Sequence, residues 1–359
     1  MIRPLSSAAV IALALGMATL LPAQSRKKPD KPDKDVERTA DQIGRTVERA
    51  VDGAMRTVER TLDQTMRQLK SAGYLDERDW QRGGERVDTT FGFSRSGVVD
   101  LTSISGDIVV TGWSRSDVRV HAQAERGRLR WNFSSSRVSI ETEGGRGRDE
   151  DTRYELSVPE GVRVILRSTS GDLTAKGTHG AVDASTTSGD INVTDATDRV
   201  ELQSISGDIK ASHLSGDVEV TTVNGDVEAE GVDARSLHAE STSGELVLGG
   251  VRSRDVSASA VSGDIQYHGT IEPSGQYEFH SHSGTVTLSI PSNTSARFSV
   301  ETFSGDLNSA FPITLQPGRD RRQGRRLEFT LGAGDARVVA ETFSGDVEIR
   351  REARREQER

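Results

Sequence analysis

Aspartate is the residue type whose spacing in this sequence comes closest to that of a chemical site. It follows a glycine at Asp172, Asp190, Asp208, Asp226, Asp264, Asp306 and Asp346. If these carboxylates form one column about 5 Å apart, they repel one another unless solvent or a cation lies between them. Calcium prefers such oxygen ligands, so Asp190, Asp208 and Asp226 are calcium candidates. The calcium-binding β-roll motif needs paired glycines and another aspartate spacing, which these turns lack, so capping of turns is the preferred interpretation.

Two histidines offer a second chemical possibility. His280 and His282 are separated by one residue, so in a strand both point to the same face and could hold a metal. The sequence indicates no third ligand, and a solvated face is the preferred interpretation. Motifs of serine hydrolases, phosphate loops and zinc helices do not occur. We therefore predict no cofactor and no catalytic residue.

A repeated turn defines the elements that carry these residues. It reads Ser-Gly-Asp or a close variant and occurs ten times. Its glycines, predicted to be structural turns, are Gly106, Gly171, Gly189, Gly207, Gly225, Gly244, Gly263, Gly284, Gly305 and Gly345. The steps from Gly171 to Gly305 are 18, 18, 18, 19, 19, 21 and 21 residues. A period of this length is typical of a stacked solenoid.

Alternation after each turn predicts strands. The second residue after each glycine is aliphatic, as in Leu173, Ile191 and Ile209, and its neighbours are mostly polar. Such alternation indicates a strand with one buried face, and stacking of coils would pair each strand in parallel with its copy in the following coil. We predict an all-β parallel β-helix or β-solenoid with coils of 18–21 residues, regular over 167–350. Residues 87–166 would form N-terminal coils or an antiparallel cap, and residues 351–359 a charged tail.

The N-terminal residues indicate export. Arg3 precedes an apolar run of 14 residues from Ala8 to Leu21, which predicts a signal peptide over residues 1–25 with cleavage after Ala23 or Ser25. An uncleaved anchor is the alternative. The chain has no cysteine, so disulfides cannot stabilise it. Residues 26–34 are predicted to be a linker.

An eleven-residue repeat predicts a long amphipathic helix over residues 35–73. Val36, Val47, Val58 and Leu69 stand at this spacing on one apolar stripe, which an α-helix keeps nearly straight. The stripe suits pairing with another helix, which would give a homo-oligomer through residues 35–72. Packing on the solenoid and contact with a lipid surface remain alternatives.

Composition limits the functional classes. Apolar residues make up 33% and aromatic residues 4% of the chain, while glycine reaches 36 residues, which suits a thin solenoid interior. The net charge of −9 lacks the basic character expected for nucleic-acid binding.

Two segments carry a family resemblance. The run of residues 186–209 and the ending of residues 334–347, with its Glu-Thr-Phe-Ser-Gly-Asp-Val sequence, resemble the bacterial family of putative adhesins, which are exported β-strand-repeat proteins. The resemblance covers roughly residues 90–350 and implies a right-handed β-helix-like domain. The family has no defined biochemical role and supplies no catalytic residue.

These observations predict a non-catalytic exported protein of the periplasm or cell envelope. It would be an adhesion-like or scaffolding rod whose repetitive β surface contacts a protein or an envelope surface. The alternatives are a carbohydrate-active β-helix enzyme of the polysaccharide lyase or hydrolase type, and an envelope signalling module. An apolar or aromatic strip along the side would favour protein contact, whereas a groove lined by carboxylates and arginines would favour a sugar.

Overall fold

The computed structural model describes residues 81–82, 86–125, 128–143, 152–312 and 325–352. The predicted signal peptide, linker and amphipathic helix lie outside the described residues, as does the tail after residue 352. The described part consists of strands, turns and loops and contains no helix, so it offers no helical membrane span.

The described strands number 27 in chain order. Their bounds are β1 Gln81–Arg82, β2 Arg86–Gly92, β3 Val98–Ser105, β4 Ile108–Trp113, β5 Asp117–Ala124, β6 Arg128–Phe133, β7 Arg137–Glu143, β8 Thr152–Pro159, β9 Arg163–Ser170, β10 Leu173–Lys176, β11 Val182–Ser188, β12 Ile191–Thr194, β13 Arg199–Ser206, β14 Ile209–Ser212, β15 Ser215–Asn224, β16 Val227–Glu230, β17 Asp233–Ser243, β18 Leu246–Val251, β19 Asp255–Ser262, β20 Ile265–Gly269, β21 Gln276–Ser283, β22 Val286–Ile290, β23 Ala296–Ser304, β24 Leu307–Ser309, β25 Arg325–Leu331, β26 Ala336–Ser344 and β27 Val347–Arg351.

Two sheets face each other across one core. Sheet A has 14 strands in the order β1-β6-β7-β3-β9-β11-β13-β15-β17-β19-β21-β26-β23-β25, and sheet B has 13 in the order β2-β5-β8-β4-β10-β12-β14-β16-β18-β20-β22-β27-β24. From β9 to β22 each coil adds one strand to each sheet, all in parallel. The prediction of an all-β parallel solenoid is therefore confirmed, and each of these coils has two strands.

In-register stacking explains the alternation in the sequence. Ile191 pairs with Leu173 on one side and Ile209 on the other, and all three side chains are fully buried. The 21-residue step from Gly263 to Gly284 holds bulkier contents, since Tyr267, Tyr277 and Phe279 are fully buried there. The hydroxyl of Tyr277 donates to the carbonyl of Ser253 at 2.6 Å, which satisfies it inside the core. Burial raises the pKa of Tyr277 to about 12.

The N-terminal end combines a coil with an antiparallel cap. Strands β7 and β8 form an outer coil that lies parallel to β3 and β4. Strands β2, β5 and β6 add antiparallel pairings beside it, and the rings of Phe91, Trp131 and Phe133 stack there. The described part of the 65-residue interval between Gly106 and Gly171 holds strands β4 to β9.

At the C-terminal end the prediction that each coil stacks on the coil before it in the sequence is wrong. The strand after β21 in sheet A is β26, and β23 lies beyond it; in sheet B, β27 likewise separates β22 from β24. The cause is β25, which pairs antiparallel with the outer edge of β23, so that the chain returns to the inner edge through β26. We call residues 325–352 the C-terminal clasp, because β25 and β26 hold β23 on both edges.

Candidate functional site

The Ser-Gly-Asp corners join sheet A to sheet B and form a continuous column. At nine of the ten corners the glycine N–H donates to the neighbouring coil, as from Gly207 to the carbonyl of Asn224 at 3.0 Å. The glycines approach so closely that a Cβ built on Gly263 would lie 1.9 Å from the carbonyl oxygen of Gly244. Close stacking of the backbone therefore requires glycine at this corner.

The aspartates act as hydrogen-bond acceptors between coils. Oδ1 of Asp190 accepts the backbone N–H of Asp208 at 2.9 Å, and Oδ1 of Asp208 accepts that of Asp226 at 2.9 Å. Oδ1 of Asp226 accepts the backbone N–H of Glu245 at 2.8 Å, where glutamate replaces aspartate and interrupts the column. Within the described residues, no group of three metal-ligating side chains converges.

Seven of the nine hydroxyls that stand three residues before the glycines donate to backbone oxygen. Thr302 donates to the carbonyl of Gly345 at 2.9 Å, and Ser281 donates to that of Gly263 at 3.2 Å. In these coils each hydroxyl therefore bonds to the backbone of the neighbouring coil. The carbonyls that converge at the corners are thereby partly satisfied.

We expect Asp208→Asn to leave stability unchanged or slightly raised. Asparagine keeps the acceptor oxygen for Asp226 and removes one charge from a column of carboxylates. Asp208→Ala loses the acceptor and should cost about 1 kcal/mol in urea unfolding. A calcium column would give a different result, because Asp208→Asn would then abolish any stabilisation specific to added calcium over magnesium.

The two histidines lie on the outer face of β21 but have separate partners. Nδ1 of His280 lies 3.4 Å from Oε2 of Glu341, and this contact holds the pKa of Glu341 below its usual range. The ring of His282 stacks on Phe343, with centroids 5.0 Å apart and planes at 4°. The structure therefore does not bring the pair together around a metal position in the described part of the chain.

A strip of outward side chains runs beside the corner column on sheet A. Its members stand two residues before each repeat glycine and are, in spatial order, Ile104, Thr169, Thr187, Ile205, Val223, Thr242, Val261, His282, Phe343 and Phe303. Nine steps of about 4.8 Å give this outer strip a length of about 43 Å. At one end Ile104 is 47% exposed. At the other end the rings of Phe343 and Phe303 stack 4.9 Å apart.

The outer strip was missed by sequence reasoning, although its signal is present. Residues two positions before the glycines are apolar or aromatic in six of ten repeats, a position where alternation predicts an outward side chain. Reading the alternation backwards from each glycine, as well as forwards, would have found it.

Charged rows cover the rest of the outer face of sheet A. Near the N-terminal end, Asp100 accepts from Arg167 at 2.9 Å and from Arg137 at 3.3 Å. Further along, Nε2 of His238 lies 2.9 Å from Oε1 of Glu240. These contacts join strands or neighbouring residues into structural ion pairs.

We expect His238 to titrate above the ordinary histidine range. The hydrogen bond to Glu240 raises the pKa of His238 and outweighs burial, which lowers it. The contribution to stability is present below the ordinary histidine pKa and is lost as the pH rises through the raised pKa. NMR titration should show the pKa falling in Glu240→Gln, and an unchanged value in that variant would contradict the assignment.

The chain is similar to a described protein family and to solved structures. A model of the family described as Toastrack DUF4097 matches residues 88–213 and 176–350. A structure of a putative cell adhesion protein from Clostridium sporogenes aligns at 9% identity and a TM-score of 0.27, covering 74% of this chain and 99% of that one. A putative adhesin from Bacteroides fragilis aligns at 12% identity and a TM-score of 0.28, covering 74% and 98%. No curated protein matches the chain.

Proposed function

Because this chain belongs to the Toastrack DUF4097 family, it carries a repeated all-β domain, and we propose that this domain is a non-catalytic adhesion-like or scaffolding module. The observation that carries the proposal is the outer strip. It places outward side chains in one line across ten coils, with apolar or aromatic residues at six of the ten positions, so a partner can contact several equivalent positions at once.

The chemistry of the outer strip favours a protein partner. Ile205, Val223 and Val261 are half-buried and offer branched apolar surface between charged rows and the corner hydroxyls. An apolar centre with a polar rim is the usual composition of a protein interface. The aspartates of the corners are occupied by backbone N–H groups, which supports a structural role for them.

Binding can be tested by introducing a residue type that other repeats already have at the same position. Ile205→Thr with Val223→Thr places at two positions the residue that Thr187 and Thr242 supply at equivalent ones, so the coils should fold. We expect the labelled double variant to bind intact cells of the source organism at least ten times more weakly than the unchanged chain does. Circular dichroism and urea unfolding would verify the fold.

The matched control lies on the same two coils in sheet B. Lys210 and Glu228 are exposed and form an ion pair at 3.7 Å, so replacing both by serine leaves the net charge unchanged. Binding of this control should equal that of the unchanged chain. Equal loss in both double variants, or no loss in either, would contradict a partner on the outer strip.

Export to the periplasm or cell envelope is part of the same proposal. It rests on the apolar run from Ala8 to Leu21 after Arg3. Fractionation of cells that express the chain with a C-terminal tag should place it outside the cytoplasm, and removal of residues 1–25 should retain it inside. A helical oligomer through residues 35–72 would appear in the same extracts as a larger species on sedimentation.

A further inference from the structure

The C-terminal clasp inserts one whole coil between two others. Strand β26 pairs in parallel with β21 on one edge and with β23 on the other, while β27 lies between β22 and β24. Its corner repeats the bonds of a regular step. Thr342 donates to the carbonyl of Gly284 at 3.1 Å, and Oδ1 of Asp346 accepts the backbone N–H of Asp306 at 2.8 Å. We call the space that β26 and β27 fill, between β21–β22 and β23–β24, the slot.

The inserted coil is nearly a copy of the coil beside it. Residues 336–347 match residues 296–307 at eight of twelve positions, including the whole Glu-Thr-Phe-Ser-Gly-Asp run. Stacking is in register, since Ala296 pairs with Ala336 and Ser304 with Ser344. The slot therefore recognises backbone edges and the repeat corner. Nothing in these contacts distinguishes the clasp of the same chain from that of another.

The position of the clasp in the chain makes exchange feasible. The clasp follows the coil that it holds, and residues 310–324 join β24 to β25. When the clasp is out, β21 loses its main-chain partner along one edge and β23 loses its partners along both edges. Strand edges that have lost their partner pair readily with another chain.

We propose that the slot is an acceptor site for the clasp of a second copy, and that exchange of clasps gives a dimer. In this dimer each clasp lies between β21–β22 and β23–β24 of the other chain. The contacts in the slot are the same in the closed monomer and in the dimer, so the connection over residues 310–324 decides the balance. A segment tethered within its own chain has an effective concentration on the order of 1 mM.

The lack of native cysteine permits a direct cross-linking test. His280 and Glu341 are paired on β21 and β26. Neighbouring parallel strands are about 4.8 Å apart, within the Cα range of a disulfide. Chains carrying His280→Cys and chains carrying Glu341→Cys, with different tags, are mixed in denaturant, refolded together and oxidised. We expect a covalent heterodimer in about a tenth of the chains at ~100 µM, falling in proportion at ~1 µM.

The control moves one cysteine a single strand away on the same face. Ser259 on β19 pairs with His280, so Ser259→Cys is two strands from Glu341. This pair should cross-link only at the background of random collision. A chain with both His280→Cys and Glu341→Cys, oxidised at high dilution so that the bond forms within one chain, should give no covalent heterodimer at ~100 µM with chains that carry Glu341→Cys, unless a reductant first opens the bond. Heterodimer no more abundant than in the Ser259 control would overturn the proposal.

Discussion

Gly189→Ala is expected to destabilise the solenoid by about 3 kcal/mol or more, because two separate penalties act at one position. The backbone of Gly189 has a φ of 147°, which residues with a Cβ rarely adopt. A Cβ at this position would lie 2.3 Å from the carbonyl oxygen of Gly171 and 2.7 Å from its carbonyl carbon. Both atoms belong to backbone that is itself bonded between coils, so relief requires the coils to separate. Urea unfolding followed by circular dichroism measures the loss.

The control for this substitution is Gly92→Ala at the end of β2. A Cβ there meets no atom within 4 Å, and the backbone does not adopt a positive φ. We expect a change within about 0.5 kcal/mol, typical of a surface position. Similar losses for the two variants would show that close stacking of the corners is not what makes Gly189 necessary.

Corner spacing made much of the fold predictable. The glycine intervals placed the turns, and the aliphatic residues after them placed the buried columns that include Leu173 and Ile191. The number of strands per coil was harder to predict from the sequence, because the strands of sheet B in these coils are short. Strand β12, for example, has four residues, of which only Ile191 and Val193 point inward. Two inward residues form too short an alternation to distinguish a flattened coil from a triangular one.

The order of the last coils could not be predicted from the repeat. Residues 296–307 and 336–347 have the same corner and the same inward pattern, so either would stack on β21 with similar bonds. Connectivity decides between them, since β25 occupies the outer edge of β23. Residues 325–331 lack the Ser-Gly-Asp turn that marked all of the predicted coils. The alternation of a strand is the same in parallel and antiparallel pairing, so it gave no sign that β25 is antiparallel.

The site was predicted in part. The aspartates were expected at the turns, and the structure shows what each carboxylate binds. Interactions between distant residues were out of reach, because Asp100 meets Arg137 and Arg167 across 37 and 67 residues of chain. Only the stacking of β3 between β7 and β9 brings these three side chains together.

Asp100→Ala is expected to cost about 2–3 kcal/mol, the second large effect in this molecule. The carboxylate is 10% exposed and lies 2.9 Å from the guanidinium of Arg167 and 3.3 Å from that of Arg137. Its removal leaves two like charges, on the strands that flank β3, without the carboxylate that they share. Arg167→Met should recover part of the loss when combined with Asp100→Ala, giving a coupling energy of about 1 kcal/mol or more in urea unfolding.

An exposed ion pair on the same sheet separates the effect of burial from that of charge. Asp217 and Arg235 are 2.6 Å apart but 52% and 75% exposed, so water competes for both groups. Asp217→Ala should cost less than about 1 kcal/mol, and its coupling with Arg235→Met should be about half a kcal/mol or less. If the two pairs gave equal coupling energies, proximity alone would account for both. A larger coupling energy at Asp100 would instead show that a carboxylate withdrawn from water fastens the outer coil of β7 and β8 to the regular coils. Such a buried contact is one way in which a sheet of parallel strands can resist opening at its end.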